Sequence, residues 1–305
     1  MPTGSVLMIA FGGPEKSEDI VPYLRRVTKG RQIPEERLQG VAEHYERLGG
    51  KSPLNELTFR QAKLLEERLE AEGRPVPVFV GMRNWHPFLA ETLRKMNDQG
   101  HRTTVGIIMA AHQCGASWEQ YQRDVEEAVK QEQITIKIAY PDPVFDHPGF
   151  IEATAEQVRI CFKKIPADLR NGTMILFTAH SVPTQDPHLA RYVNQLQQSC
   201  RRVAAALQHP RWNLCYQSRS GKPQDPWLEP DVNEAIQTLA SRDVKTIVVV
   251  PIGFLCDHVE VLHDLDTEAR KTAIDAGIQF LRARTVSDDP RFIEALAERV
   301  LDHLQ

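Results

Sequence analysis

Three acids, Glu260, Asp264 and Glu268, recur at every fourth residue directly after the apolar run TIVVVPI (246–252). Four residues turn an α-helix by about 400°, so the three drift by roughly 80° around it, whereas a wider π-type turn aligns them more closely. Like charges held this close resist simultaneous ionisation, so one acid is expected to keep a proton near pH 7 and the row to titrate as a coupled group. Such a row suits a path for a divalent cation or for departing protons. The plain alternative is a solvated helix face. His180 ends a second apolar run, MILFTA (174–179), and precedes Ser181-Val182-Pro183. An imidazole there titrates near neutrality and either accepts a proton or ligates a metal, but not both at once. A histidine that merely hydrogen-bonds its loop is the other reading.

Other candidates say less. His258 lies beside Asp257 and reads as structural, His263 carries little signal, and His112 is a wall candidate at a third strand end. AFGGP (10–14) follows the first apolar run but lacks the GxGxxG spacing, and no Walker A sequence occurs, so a nucleotide site is poorly supported. GGKSPLNE (49–56) reads as a turn that caps a helix. Arg25, Arg26, Lys29 and Arg31 form either a solvated helix end or a carboxylate-neutralising patch. Trp118, Trp212 and Trp227 offer flat apolar walls to a planar ligand, or simply core. The five cysteines (114, 161, 200, 215, 256) include no CxxC pair and read as buried free thiols, with no zinc ribbon and no iron–sulfur motif after Cys256.

Positioning such groups takes a folded scaffold, and the chain has the means. It has 305 residues, 41% hydrophobic and 26% charged, with 37 basic against 41 acidic side chains and a net charge of −4. That balance excludes collagen-like, disordered and coiled-coil classes and gives no electrostatic reason for a nucleic-acid partner. No apolar run reaches the roughly 18–20 residues of a spanning helix, and MPTGSVLMIAFGG lacks the basic start of a signal peptide, so the expected location is the cytosol.

Eight short apolar runs read as strands buried on both faces: 5–11, 76–82, 104–111, 134–140, 174–179, 212–218, 246–252 and 278–284. Helical stretches at 55–73, 86–100, 117–131, 188–208, 231–243 and 289–304 alternate with them. The alternation predicts an α/β fold of two Rossmann-like lobes, each a four-stranded parallel sheet flanked by helices, with a cleft between. The boundary is expected in the Pro-rich stretch 141–150, giving lobes 1–143 and 144–305, with the C-terminal helix able to pack back on the first. Ligands of open α/β sheets bind beyond the carboxyl ends of strands, which places 11–14, Arg83, His112, His180, Arg219 and 253–260 at the site.

Five segments together resemble the ferrochelatases, enzymes that insert iron into porphyrins. They are AFGGP (10–14), HYERLGGKSPLNELT (44–58), TAHSVP (178–183), YQSRSGKPQDPWLEPDV (216–232) and PIGFLCDHVEVLHDLDTEA (251–269), in the family's order. PQDPWLEPDV looks most like coproporphyrin III ferrochelatases of the Gram-positive type. The resemblance implies a porphyrin cleft, with His180 and Glu260 as the catalytic and metal-site pair facing each other across a tetrapyrrole-sized gap. It makes Asp264 and Glu268 the inner continuation of an acidic row wound as a π-type helix. It carries porphyrin contacts onto Phe11, Thr28, His44, Tyr45, Ser52 and Tyr121. Gram-positive members have a tyrosine at the position of Phe11, so a phenolate ligand to iron is unavailable here. They have propionate-binding arginines at the positions of Thr28 and His44, and Lys29, Arg31 or Arg47 are the candidates to compensate.

The resemblance implies Fe2+ and a porphyrin as substrates, no permanently bound cofactor and no iron–sulfur cluster, and a transient haem-pathway enzyme or iron donor as partner. A flat macrocycle hides its nitrogen lone pairs, and a cleft that holds it puckered favours the transition state. Protoporphyrin IX is the alternative substrate. A cobalt or nickel chelatase would carry histidines at both metal positions, and a non-enzymatic porphyrin or haem carrier would bind the ring without metalating it.

Overall fold

The computed structural model describes residues 4–30, 33–220 and 225–304. All eight expected strands are present: β1 (Gly4–Ala10), β2 (Val78–Met82), β3 (Thr103–Ile108), β4 (Lys137–Ala139), β5 (Met174–His180), β6 (Trp212–Gln217), β7 (Thr246–Val250) and β8 (Gln279–Arg282). They form two four-stranded parallel sheets, in the orders β2-β1-β3-β4 and β6-β5-β7-β8. The central strands show why the sequence reads so cleanly. Val6, Leu7, Met8 and Ile9 of β1 are fully buried, as are Ile247, Val248 and Val249 of β7, because helices cover both faces of each sheet.

The chain divides into two compact units, one of Met1–Met109, Glu119–Asp142 and Leu296–Gln305, the other of Ala110–Trp118 and Pro143–Ala295. A single boundary after residue 143 therefore simplifies the division. The segment after β3 counts with the second unit, where His112 Nε2 lies 2.9 Å from Ser199 Oγ and the Gln113 amide donates to Gln195 Oε1 at 2.7 Å. The chain's last residues count with the first unit, where Leu304 packs beside Gly4 at the start of β1.

Among the described residues, three helices of more than two turns escape the periodicity reading. Ser17–Val27 buries Ile20, Tyr23 and Leu24 on one stripe but carries Pro22 in its interior, a residue that reads as a break, and Glu35–Arg47 buries only Tyr45. Pro148–Lys163 begins inside the stretch read as a linker. Pro148 is the first helical residue, where its missing N–H costs nothing, and the His147 ring accepts from the Gly149 amide at 3.2 Å to cap the turn. In the second unit Phe150, Phe177 and Phe292 are almost fully buried, and Leu176, Cys215, Ile236, Val249, Val261 and Leu265 form a continuous core that carries the segment after β7. All five cysteines are free and buried. Among the described residues no helix is long and apolar enough to cross a membrane.

Candidate active site

β5 and β7 are neighbouring strands, and their carboxyl ends place His180 and Glu260 side by side. His180 is the last residue of β5. Its Nδ1 lies 2.5 Å from the Ser181 carbonyl oxygen. A carbonyl only accepts, so Nδ1 carries the proton and Nε2 presents its lone pair. The segment after His180 is anchored by a short antiparallel pairing with residues 226–228. Thr184 donates to the Pro226 carbonyl at 3.0 Å, Leu228 donates to the Val182 carbonyl at 3.0 Å, and the Ser181 hydroxyl donates to the Leu228 carbonyl at 2.9 Å.

His180 Nε2 and Glu260 Oε2 stand 3.9 Å apart, with 37% and 50% of their side chains exposed. This corrects the expectation of a tetrapyrrole-sized gap between them. Both come from one sheet, whose strands lie about 4.8 Å apart, so the pair sits on one side of any bound ring. Two metal–ligand bonds of about 2.1 Å span at most about 4.2 Å, so one divalent cation fits between these atoms. The turn after β7 lies against β5 because residue 253 is glycine. A Cβ there would stand 2.7 Å from Ala179 Cβ.

Glu260 sits in the short helix Val259–Val261, which runs into the π-helix Leu262–Ala269. The wider winding that the four-residue spacing allows is thus the one adopted. It also recruits a residue the sequence did not single out. His263, Asp264 and Glu268 present ligand atoms within 4.8 Å of one another, and His263 Nε2 lies 3.4 Å from Glu268 Oε1. On an α-helix, residues five apart point roughly 140° away from each other, whereas five residues close one hydrogen-bonded turn of a π-helix.

Asp264 is the acid of the row whose carboxyl is pushed furthest toward neutrality. Burial raises its carboxyl, and the Glu260 and Glu268 charges raise it further, to about 7 against an ordinary 3.8, although the Ser218 hydroxyl and the Gln217 amide both donate to it. Ser218 reaches it from a left-handed backbone, φ 61°, just past the end of β6. His258, read as structural, packs its ring on Phe254 at 5.1 Å, and burial lowers its pKa.

Arg282, at the end of β8, clamps this segment. It donates two bonds to Asp266 at 2.8 Å each and one to Asp257 at 3.0 Å. Its side chain is only 11% exposed, and nothing in the local pattern marks it. Asp257 precedes Glu260 and Asp266 follows Asp264, so one guanidinium fixes both flanks of the acidic row.

The first unit holds the six residues expected to contact a porphyrin. Residues 83–85, just past β2, tie three of them together. The Asn84 amide donates to the Phe11 carbonyl at 2.9 Å. Arg83 pairs with Asp124 at 2.6 Å, and its guanidinium stands 5.8 Å from the Tyr121 ring. Trp85 meets Tyr23 edge-on at 6.2 Å, and Tyr23 meets Tyr45 at 5.9 Å. Ser52 closes on the stretch after β1 that holds Phe11, donating its amide to the Pro14 carbonyl at 2.8 Å. Trp85 was not anticipated, and its one signal was its place just past a strand end. Thr28 caps the helix Ser17–Val27, its hydroxyl donating to the Leu24 carbonyl at 2.7 Å, and His44 lies half-buried in Glu35–Arg47. Arg47 is already paired with Glu43 at 3.0 Å. Arg31 lies outside the described residues, as do residues 221–224 of the 216–232 segment. Of the expected aromatic walls, Trp118 is buried in the π-turn Gly115–Glu119, Trp212 packs edge-on to Phe177 at 5.8 Å, and Trp227 pairs with Pro183.

A family profile described as "Ferrochelatase" matches residues 3–304. The chain is 39% identical to a ferrochelatase of Rhodopirellula baltica, over 99% of this chain and 87% of that one. It is 38% identical to the coproporphyrin III ferrochelatase of Nocardia farcinica, over 100% and 89%. To that of a Mycobacterium species it is 39% identical, over 99% and 88%. Among solved structures, SirB from Bacillus subtilis with Fe3+ superposes with a TM-score of 0.61 at 10% identity, covering 99% of this chain and 95% of that one. CbiX, described as the terminal enzyme of sirohaem biosynthesis in denitrifying bacteria, gives 0.58 at 14% identity, covering 99% and 100%. These structures share the two-lobe chelatase fold.

Proposed function

Because this chain belongs to the ferrochelatase family, we propose that it inserts Fe2+ into coproporphyrin III, with His180 and Glu260 handling the ion and the pyrrole protons. Family membership makes it an enzyme that places iron in a porphyrin. Each turnover exchanges two pyrrole N–H protons for one dication, and iron enters and stays ferrous. The site must therefore hold a cation briefly and take up two protons.

The observation that carries the reading is the 3.9 Å separation of His180 Nε2 and Glu260 Oε2, with Nδ1 tied to the Ser181 carbonyl. His180 presents one lone pair. While it holds iron it cannot hold a proton, so Glu260 supplies the second atom for either. Asp264, with its carboxyl near 7, takes a proton and returns it to water close to neutrality. Phe11, Tyr45 and Tyr121, joined through residues 83–85, and Ser52, bonded to Pro14, form the wall assigned to the porphyrin. Lys29, Arg31 and Arg47 are the cations offered to the propionates.

Coproporphyrin III as the substrate is supported by the names of the Nocardia and Mycobacterium relatives. The test is anaerobic Fe2+ insertion followed in the visible spectrum with coproporphyrin III and with protoporphyrin IX. Faster turnover of coproporphyrin III is expected, and a preference for protoporphyrin IX rejects the substrate assignment. Full turnover by His180→Ala rejects the mechanism. Zn2+ insertion no faster than in buffer would make the protein a carrier.

A further inference from the structure

The His180 carbonyl needs a partner that its sheet does not supply. Alternate residues of a strand turn their peptide groups to opposite neighbours. Thr178 uses the β7 side, its carbonyl accepting from the Gly253 amide at 3.1 Å, and His180, two residues on, faces the same way. The β5–β7 register ends at Phe177↔Val250, and the chain has already turned at Pro251, so no ladder amide reaches the His180 carbonyl from β7. The hydroxyl of Tyr192 fills the place, donating to that carbonyl at 3.0 Å from the first turn of the helix Leu189–Ala206. Tyr192 is 5% exposed, with its ring edge-on to the His112 ring at 6.4 Å.

The other pole of the same peptide group is also held, because the Ser181 amide donates to the Gln217 carbonyl at 2.8 Å. The plane between residues 180 and 181 is thus fixed at both ends. That plane joins the His180 Cα, which carries the imidazole, to the Ser181 Cα, whose own carbonyl receives the Nδ1 proton.

We infer that Tyr192 is a positioning residue for iron insertion: its hydroxyl, by pinning the 180–181 peptide, keeps the His180 imidazole in one orientation and one tautomer, with Nε2 toward Glu260. The inference rests on the role given above to His180. It needs no contact of Tyr192 with porphyrin or iron. Burial raises the phenol's pKa well above its ordinary value, so it remains a donor across the working pH range.

The experiment is Tyr192→Phe in the full chain, which removes one oxygen and keeps the ring. Three quantities are read: KM for the porphyrin, kcat for iron insertion, and the 1H–15N correlations of the His180 imidazole in protein labelled at histidine, assigned with His180→Gln. The expected result is an unchanged KM and a kcat lower by about tenfold, the scale of a small loss of alignment at a reacting group. The His180 signals should move from the single Nδ1–H pattern toward a mixture of tautomers. An unchanged kcat, or His180 signals identical to wild type, overturns the inference. Loss of folding or of porphyrin binding also overturns it, by assigning Tyr192 to the core alone. Should wild type fail to insert iron while Tyr192→Phe still mixes the His180 tautomers, the functional reading falls and the positioning role stands.

Discussion

Gly253 lies so close to Ala179 that a Cβ on it would stand 2.7 Å from Ala179 Cβ and 2.8 Å from its Cα. The neighbour is backbone as much as side chain, so it cannot swing away. Gly253→Ala is therefore expected to push the turn after β7 off β5, at a cost of about 1–3 kcal/mol, the usual scale of overpacking. The same shift would widen the His180–Glu260 spacing. A lower melting temperature together with a lower kcat is the expected outcome, and a variant with wild-type values of both would show that the contact relaxes without moving the pair.

Arg282 invites a sharper test, because it joins two acids on either side of the Glu260–Asp264 segment. Arg282→Met leaves Asp257 and Asp266 without their shared cation, and breaking such a partly buried pair costs about 3–5 kcal/mol. Arg282→Lys keeps the charge but loses the fork that reaches Asp266 with two nitrogens. Stability by denaturant titration should fall in the order wild type, Lys, Met. In the Lys variant iron insertion should fall more than porphyrin affinity, since the clamp holds Glu260 and Asp264 rather than the ring wall.

What could be read from the sequence divides along physical lines. β1 and β7 announce themselves because burial on both faces leaves near-continuous apolar runs, and a histidine at the end of such a run is visible without coordinates. The four-residue spacing of Glu260, Asp264 and Glu268 raised the π-type winding, and Leu262–Ala269 adopts it. His263 stayed hidden, since it joins Asp264 and Glu268 only once that winding is in place. Arg282 and Tyr192 act on residues 12 to 25 positions away in sequence, across strands or a loop, where no local pattern points. The His180–Glu260 separation was misjudged for a related reason. Motif order puts the two 80 residues apart, and only the β5–β7 pairing brings them to one edge.

Asp264 should make stability fall as pH rises. Its folded pKa is raised, to about 7 from 3.8, so between those values the native state holds a proton that the unfolded chain has lost. The unfolded state binds fewer protons there, and stability declines with pH through that window. Asp264→Asn removes the slope. The variant should match wild type near pH 4 and exceed it at pH 8, measured by melting temperature without added metal. Equal pH dependence in the two proteins would mean that Asp264 is ionised throughout.

His112 acts with the opposite sign. Burial lowers its pKa to about 3 from 6.5. Ser199 uses its own proton on the Phe145 carbonyl at 2.6 Å, so its oxygen accepts from His112 Nε2, and the buried Nδ1 has no partner among the described residues to receive a proton. Below pH 6.5 the unfolded chain protonates this histidine while the native state does not, so stability present at neutral pH is lost progressively as pH falls toward 3. His112→Gln keeps a donor for Ser199 without a titrating ring. It should be less stable than wild type at pH 7, because the ring's packing against Phe145, Phe150 and Tyr192 is lost. The gap should then narrow as pH drops from 6.5 to 4 in urea titrations at each pH. A gap that stays constant over that interval would place the acid sensitivity elsewhere in the fold.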